Sequence, residues 1–225
     1  MLISLLSGRL DFMTALMQIL ASLVVIFLIM PFHEWAHAFV AYKLGDTSVK
    51  ARGRLSLNPI EHIDPIGALM IILIGFGWAK PVPIDDRNFK NPKIGMGITA
   101  MAGPLANFIA ALAGGLILNA LAAFAGSFLV TTVGNYIYIF FLYYVMLNIC
   151  LAVFNLVPIP PLDGSKILFM FLPDKWVYTL YKYENVFFLI LLVLVWFNIL
   201  PLGYIENALT NFVFWLTGLP FAFVG

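Results

Sequence analysis

From Phe12 to Phe32 the chain carries almost nothing but apolar side chains, and the helical character continues through His33 to about Leu44, where Gly45 and Asp46 stop it. The element is longer than one bilayer, so its first turns lie in the interface or the helix tilts. A cleaved signal peptide is not expected: the stretch is long, lacks a small-x-small cleavage site and runs straight into a polar cluster. Further apolar runs cover roughly 95–125, 128–157 and 183–200, with a last piece at 207–224. Residues 65–77 are apolar but only about two-thirds of a span, and Gly75, Gly77, Pro81 and Pro83 break up the continuation toward Ile84, which predicts a re-entrant segment.

Between the first two runs the period changes. Val49, Ala51, Gly53, Leu55 and Leu57 alternate with Ser48, Lys50, Arg52, Arg54, Ser56 and Asn58, which predicts a strand with one oily and one basic face lying along the headgroups.

Composition agrees with the pattern. Of 225 residues, 63% are hydrophobic and 10% charged, with a mean hydropathy of +1.00, far above the roughly 45–50% apolar content of a soluble domain. The expected fold is an all-α polytopic membrane protein with about four to six transmembrane segments at about 20 residues each and a small membrane-associated β element between the first two. Residues 1–225 read as a single membrane-embedded domain. A net charge of +1 without basic clustering excludes nucleic acid as a partner. The single Cys150 excludes an intrachain disulfide and a C-x-x-C site, and reads as a packed or lipid-facing side chain.

Charge also orients the chain. If 65–77 turns back, every Lys and Arg except Arg9 falls on one side, which the positive-inside bias makes cytoplasmic. If it crossed fully, Lys43, Lys50, Arg52 and Arg54 would face away from Lys80, Arg87, Lys90 and Lys93, and the bias would vanish.

The polar cluster that ends the first run is "HEWAH", residues 33–37. On a helix His33 and His37 are one turn apart on one face, so both imidazoles reach one ion with Glu34 beside it. Two neutral nitrogens fix zinc, and the carboxylate takes a proton from water made acidic by the metal. Ionisable groups inside a membrane segment cost about 2.5–3.5 kcal/mol each on insertion scales, so a packing role is a poor account of this cluster.

A catalytic zinc needs a third protein ligand. Between His37 and Glu61 the chain reads as strand-like and ends in Asn58-Pro59, so no second helix presents Glu61 early enough; His62 reads as a loop histidine at headgroup level. Asp163 is the strongest candidate. It follows Pro158, Pro160 and Pro161, which break a span, and broken helices inside a membrane are tolerated only around a cavity or buried site.

"HEWAH" followed by Gly45-Asp46, together with "NLVPIPPLDG" at 155–164, resembles the site-2 protease family of intramembrane zinc metalloproteases; the second stretch fits N-x-x-P-x-P-x-L-D-G. The likeness reaches from about residue 20 to 200, and "AGPLANF" at 102–108 looks like the family's small-residue helix. The resemblance implies that His33, His37 and Asp163 hold one Zn2+ per chain. It implies that Glu34 is general base and acid, and that Asn155 positions the substrate or its oxyanion. The substrate would be a membrane protein with a transmembrane helix, cut within or near the bilayer of the cell membrane at a site toward the cytoplasmic side. Unlike better-known members, this sequence shows no PDZ domain between the motifs and no CBS domains.

Cutting a membrane helix requires it to unwind, leaving amides that cost several kcal/mol each in lipid unless something pairs with them. "GFGWAKPVPI", 75–84, reads as an edge strand able to do so, with Trp78 as an interfacial anchor. Gly103, Asn107, Ala111 and Gly114 form a small-residue seam, with Asn107 placed to hydrogen-bond toward the catalytic helix in a structural role. Pro31, just ahead of His33, is expected to kink that helix toward the site. Trp176, Tyr178, Tyr181 and Tyr183 read as an aromatic belt. Two other readings stay open: a membrane zincin using Glu61, and a non-enzymatic divalent-metal carrier with ligands at several depths.

Overall fold

The computed structural model describes residues 11–74, 78–197, 199–200 and 202–218. Arg9, Asn198, the first residues of the expected edge strand (75–77) and the end of the last apolar piece lie outside them. Among the described residues the chain is helical, with no strand and one isolated antiparallel bridge, Ile63 to Ala79.

The first apolar run forms α1 (Phe12–Val24), a π-helical turn (Val25–Ile29) and α2 (Met30–Leu44), continuous enough to make one candidate span. Asp11 caps it by accepting from Thr14 N–H at 3.0 Å. The π turn has a cause: Pro31 offers no N–H, and its ring crowds the carbonyl of Phe27 four residues back, so the ladder widens just ahead of it. The expected effect of Pro31 on the helix is thus expressed as a widened turn one step before the HEWAH stretch.

The expected strand at 48–58 is not formed. Ser48–Ala51 is a short helix, α3, begun by Asp46 Oδ1 accepting from Ser48 N–H at 3.0 Å. Gly53 then turns the chain at φ 73°. Alternation specifies which side chains share a face but supplies no second strand to pair with, and the local Asp46 cap wins. Val49 is fully buried against Ala38, Ala41, Val82 and Phe89, while Arg52 donates to the Pro83 carbonyl, so the segment packs on α2 rather than lying flat on lipid.

A one-turn helix, α4 (Pro59–His62), is followed by α5 (Pro65–Ile74), whose first N–H groups at Ile66 and Gly67 donate to Asp64 Oδ1 at 2.9 Å. Ten residues make about 15 Å of helix, half of a hydrocarbon core, so α5 is too short to cross.

Then come α6 (Pro92–Leu129) and α7 (Thr132–Asn155), both long and apolar enough to span. The short α8 (Asp163–Phe169) and α9 (Asp174–Lys182) lead to α10 (Glu184–Trp196), and α11 is Leu202–Thr217. Among the described residues three helices are long and apolar enough to cross a membrane, or four if α9 and α10, bent by 70°, make one broken span. The chain is a membrane protein, and the described residues reach the lower end of the expected four to six spans only if α9 and α10 count as one.

Helix α6 is central, packing on α2, α7, α8 and α11. Its small residues permit this: Gly103, Ala106, Asn107, Ala110, Ala111 and Gly114 are all buried. In lipid, helices associate through close packing rather than water exclusion, so a smooth face is what brings α2 and α6 together. Val25, Ile26, Ala111, Val145 and Ile149 fill the space between α6, α7 and the first span.

Candidate metal centre

His33, Glu34 and His37 share one face of α2 and are all buried. Asp163 opens α8, immediately after the proline-broken stretch that ends α7, and is buried too. The break brings its carboxylate to the histidines: Asp163 Oδ2 lies 3.4 Å from His33 Nε2 and 3.1 Å from His37 Nε2, and the two Nε2 atoms are 3.1 Å apart. Among the described residues these three form the group able to hold a metal ion; Glu61 and His62 are not part of it. His62, expected on a loop, ends the one-turn helix α4 and is fully buried, with Nε2 2.7 Å from the Ser56 carbonyl. The turn of α4 folds it beneath the chain, which a linear reading of "EHIDP" does not show.

The outer nitrogens decide what the inner ones can do. His33 Nδ1 lies 2.7 Å from Asn107 Oδ1, and His37 Nδ1 lies 2.8 Å from the Thr99 carbonyl, both acceptors on α6. Each ring therefore carries its proton on Nδ1, leaving both Nε2 lone pairs aimed at each other and at a carboxylate oxygen. Three lone-pair atoms converging without a proton repel one another unless a cation sits among them. A tetrahedral ion with donors at 2.0–2.1 Å sets them about 3.3 Å apart, and the observed 3.1–3.4 Å matches. The donor set fits zinc. Gly103 leaves the room: a Cβ there would run into the Nε2 atoms of both histidines.

Glu34 stands beside the triangle, its Oε2 accepting from the backbone N–H of Val82 at 3.0 Å. The described part of the expected edge strand, 78–84, forms no strand beyond the single Ile63–Ala79 bridge, but that bridge and Lys80 N–H donating to the His62 carbonyl at 2.8 Å pin it, and it reaches the site. A second anchor holds its far end. Asp46 Oδ2 accepts from Asp85 N–H and Oδ1 from Asn88 Nδ2, each at 2.8 Å, locking the 85–88 loop to the end of α2. Burial pushes the Asp46 carboxyl up, but the hydrogen bonds from Ser48, Asp85 and Asn88 outweigh it and hold it below its ordinary value. Gly45 makes the join possible, with φ at 121° and the Asn88 carbonyl where a Cβ would sit.

These groups face a cavity of about 490 Å³. Its wall is mostly apolar, with Met30, Val82, Leu151, Phe154 and Phe188 contributing, and its polar points are the triangle, Glu34, Asn107, Asn155 and Lys166. Asn155 donates from Nδ2 to the Leu151 carbonyl at 2.9 Å, one turn back on α7. Of the expected residues, His33, Glu34, His37, Asp163 and Asn155 all reach this cavity. Asn107 has more than a packing role, since it orients His33. The Thr99 carbonyl and the Val82 N–H are backbone atoms with no sequence signal, while Lys166, three residues after Asp163, carried one in its spacing.

The chain is 40% identical over 171 residues to "Putative zinc metalloprotease YwhC" of Bacillus subtilis, covering 76% of each. It is 30% identical over 137 residues to "Putative zinc metalloprotease Rip2" of Mycolicibacterium smegmatis, covering 59% of this chain and 49% of that one. The Rip2 of Mycobacterium tuberculosis is 28% identical over 140 residues, covering 60% and 51%. No protein-family model matches the chain, and no solved structure does. With the YwhC likeness running across three-quarters of both chains, this chain belongs to the site-2 protease family of zinc metalloproteases.

Proposed function

We propose that this protein is an intramembrane zinc endopeptidase that hydrolyses peptide bonds within or near transmembrane segments of other membrane proteins. The observation that carries the reading is the convergence of a general base and three metal donors, from α2 and from the start of α8 beyond a broken span, on one largely apolar cavity.

His33, His37 and Asp163 are the residues that would hold the ion. When bound, zinc supplies a Lewis acid that polarises the scissile carbonyl and makes water acidic enough to attack near neutral pH. Glu34 takes the proton from that water and returns it to the departing amide nitrogen, so that one carboxylate serves as base and then acid. The Val82 N–H holds Glu34 Oε2 at 3.0 Å and keeps the carboxylate turned to the site. Asn155, on the cavity wall, orients the scissile segment. The apolar wall accepts aliphatic and aromatic side chains, and the unwound 78–84 segment offers backbone groups to an unwound substrate. The HEWAH stretch ends the first span on the side that carries Lys43, Lys50, Arg52 and Arg54, and the positive-inside bias supports a cytoplasmic site in a multi-pass protein of the cell membrane.

The test is the full chain with Glu34→Gln, measured for zinc content and for cleavage of a membrane-anchored substrate. Zinc retained with cleavage lost supports the reading, and cleavage retained sinks it. Zinc transport into vesicles that survives the substitution would point instead to a carrier.

A further inference from the structure

We propose that Lys166 is a positioning residue that holds Asp163 as a one-oxygen ligand, an inference that rests on the zinc protease reading above. The two oxygens of Asp163 are divided: Oδ2 faces both histidine Nε2 atoms, and Oδ1 accepts from Lys166 Nζ at 3.3 Å. The division follows from α8, where residues three apart share a face, so the ammonium comes round beside the carboxylate one turn later.

A lysine in a membrane protein normally extends its flexible stem toward water. Lys166 does not; its side chain is only 28% exposed, it lines the cavity, and its ammonium turns inward to Asp163. The carboxylate itself has little freedom to answer by moving as a whole. Gly164 lies so close under the Leu156 carbonyl that a Cβ there would collide with it, which pins the start of α8. What remains free is rotation of the carboxylate about its own bond, and the ammonium on Oδ1 opposes it.

The consequence is a coordination number. Two imidazoles and one carboxylate oxygen make three donors and leave room for the reactants, whereas a two-oxygen carboxylate would crowd that room. Lys166 thereby sets how open the ion is, acting through Asp163.

The experiment uses the full-length protein in detergent with cobalt(II) in place of zinc, because the intensity of cobalt absorption reports coordination number directly. Wild type and Lys166→Arg are expected to show the strong bands of a four-coordinate ion, and Lys166→Met the weaker bands of a five-coordinate one. With zinc restored, Lys166→Met should lose about 10–100-fold in kcat at unchanged KM, and Lys166→Arg should recover most of it. A Lys166→Met spectrum that superimposes on the wild type overturns the proposal, as does wild-type kcat in that variant. Lys166→Gln, shorter and neutral, is read the same way if the methionine variant does not fold. Failure of the protease reading is separable: cobalt bound with no Glu34-dependent cleavage overturns that reading while the spectra still judge the ligand geometry. A wild type that takes up no cobalt overturns both.

Discussion

The backbone N–H of Val82 donates to Glu34 Oε2 at 3.0 Å, tying a segment outside the spans to the carboxylate of the histidine helix, which stands beside the three groups able to hold a metal and is not one of them. The bond is buried, and it is the protein donor that holds Glu34 Oε2 in place.

Removing this donor should be costly. Val82→Pro leaves Glu34 Oε2 without its protein partner, a loss of about 1–3 kcal/mol for a buried acceptor, which corresponds to roughly 5–150-fold. Turnover should fall by that order while zinc stays bound, since no ligand is touched. Val82→Ala keeps the N–H and should turn over nearly as wild type. Equal turnover of the proline and alanine variants would show that the contact does not position Glu34.

Gly103→Ala tests the space in which the ion would sit. The added methyl meets the Nε2 atoms of His33 and His37, so the rings must turn away from Asp163. Zinc affinity, measured by competition with a chelator, should fall by at least about 10–100-fold. Gly115→Ala, whose methyl meets Thr217 and Val213 on α11, serves as the packing control and should keep its zinc.

Asn107→Leu removes the acceptor that keeps the proton of His33 on Nδ1. Loss of such an outer partner weakens metal binding by about 10–100-fold, and the same chelator titration reads it. Asn107→Asp, which retains an acceptor, should bind more tightly than the leucine variant. The reverse order would argue that Asn107 matters only for helix packing.

The clamp at the end of α2 predicts a pH dependence. The Asp46 carboxyl is held below its ordinary value of 3.8 by hydrogen bonds that outweigh its burial. Asp85, ion-paired with Arg87, is held at about 2. Both are lowered, so their contribution to stability is present above pH 3.8 and is lost as pH falls toward the folded values. Thermal unfolding in detergent should show a steeper loss across that window in the wild type than in Asp46→Asn. Parallel curves would mean that Asp46 carries no linked proton.

Half of the site is legible because it is local. His33, Glu34 and His37 fall within one helical turn and a bit, so spacing alone puts them on one face, and Asp163 stands out because three prolines break a span just ahead of it. The misreading at 48–58 has the opposite origin. Its alternation of Val49, Ala51 and Leu55 with basic residues is genuine, but a strand needs a partner, and what the chain offers there is the side chain of Asp46. His62 is outside the metal group as expected, but its burial was not legible, because whether a histidine is wet or buried depends on what folds over it.

By itself the sequence determined the class of protein, the two halves of the metal centre and the smooth face of α6, because hydropathy, helical periodicity and residue size are properties of neighbours in the chain. Only the tertiary structure decided that the Nε2 atoms and Asp163 Oδ2 stand 3.1–3.4 Å apart, that the Thr99 carbonyl and Asn107 set the histidine tautomers, and that Val82 holds Glu34. Those relations join backbone atoms and side chains from separate elements. They exist only once close packing across Gly103 has brought α2 and α6 together, and no local pattern encodes a distance that packing creates.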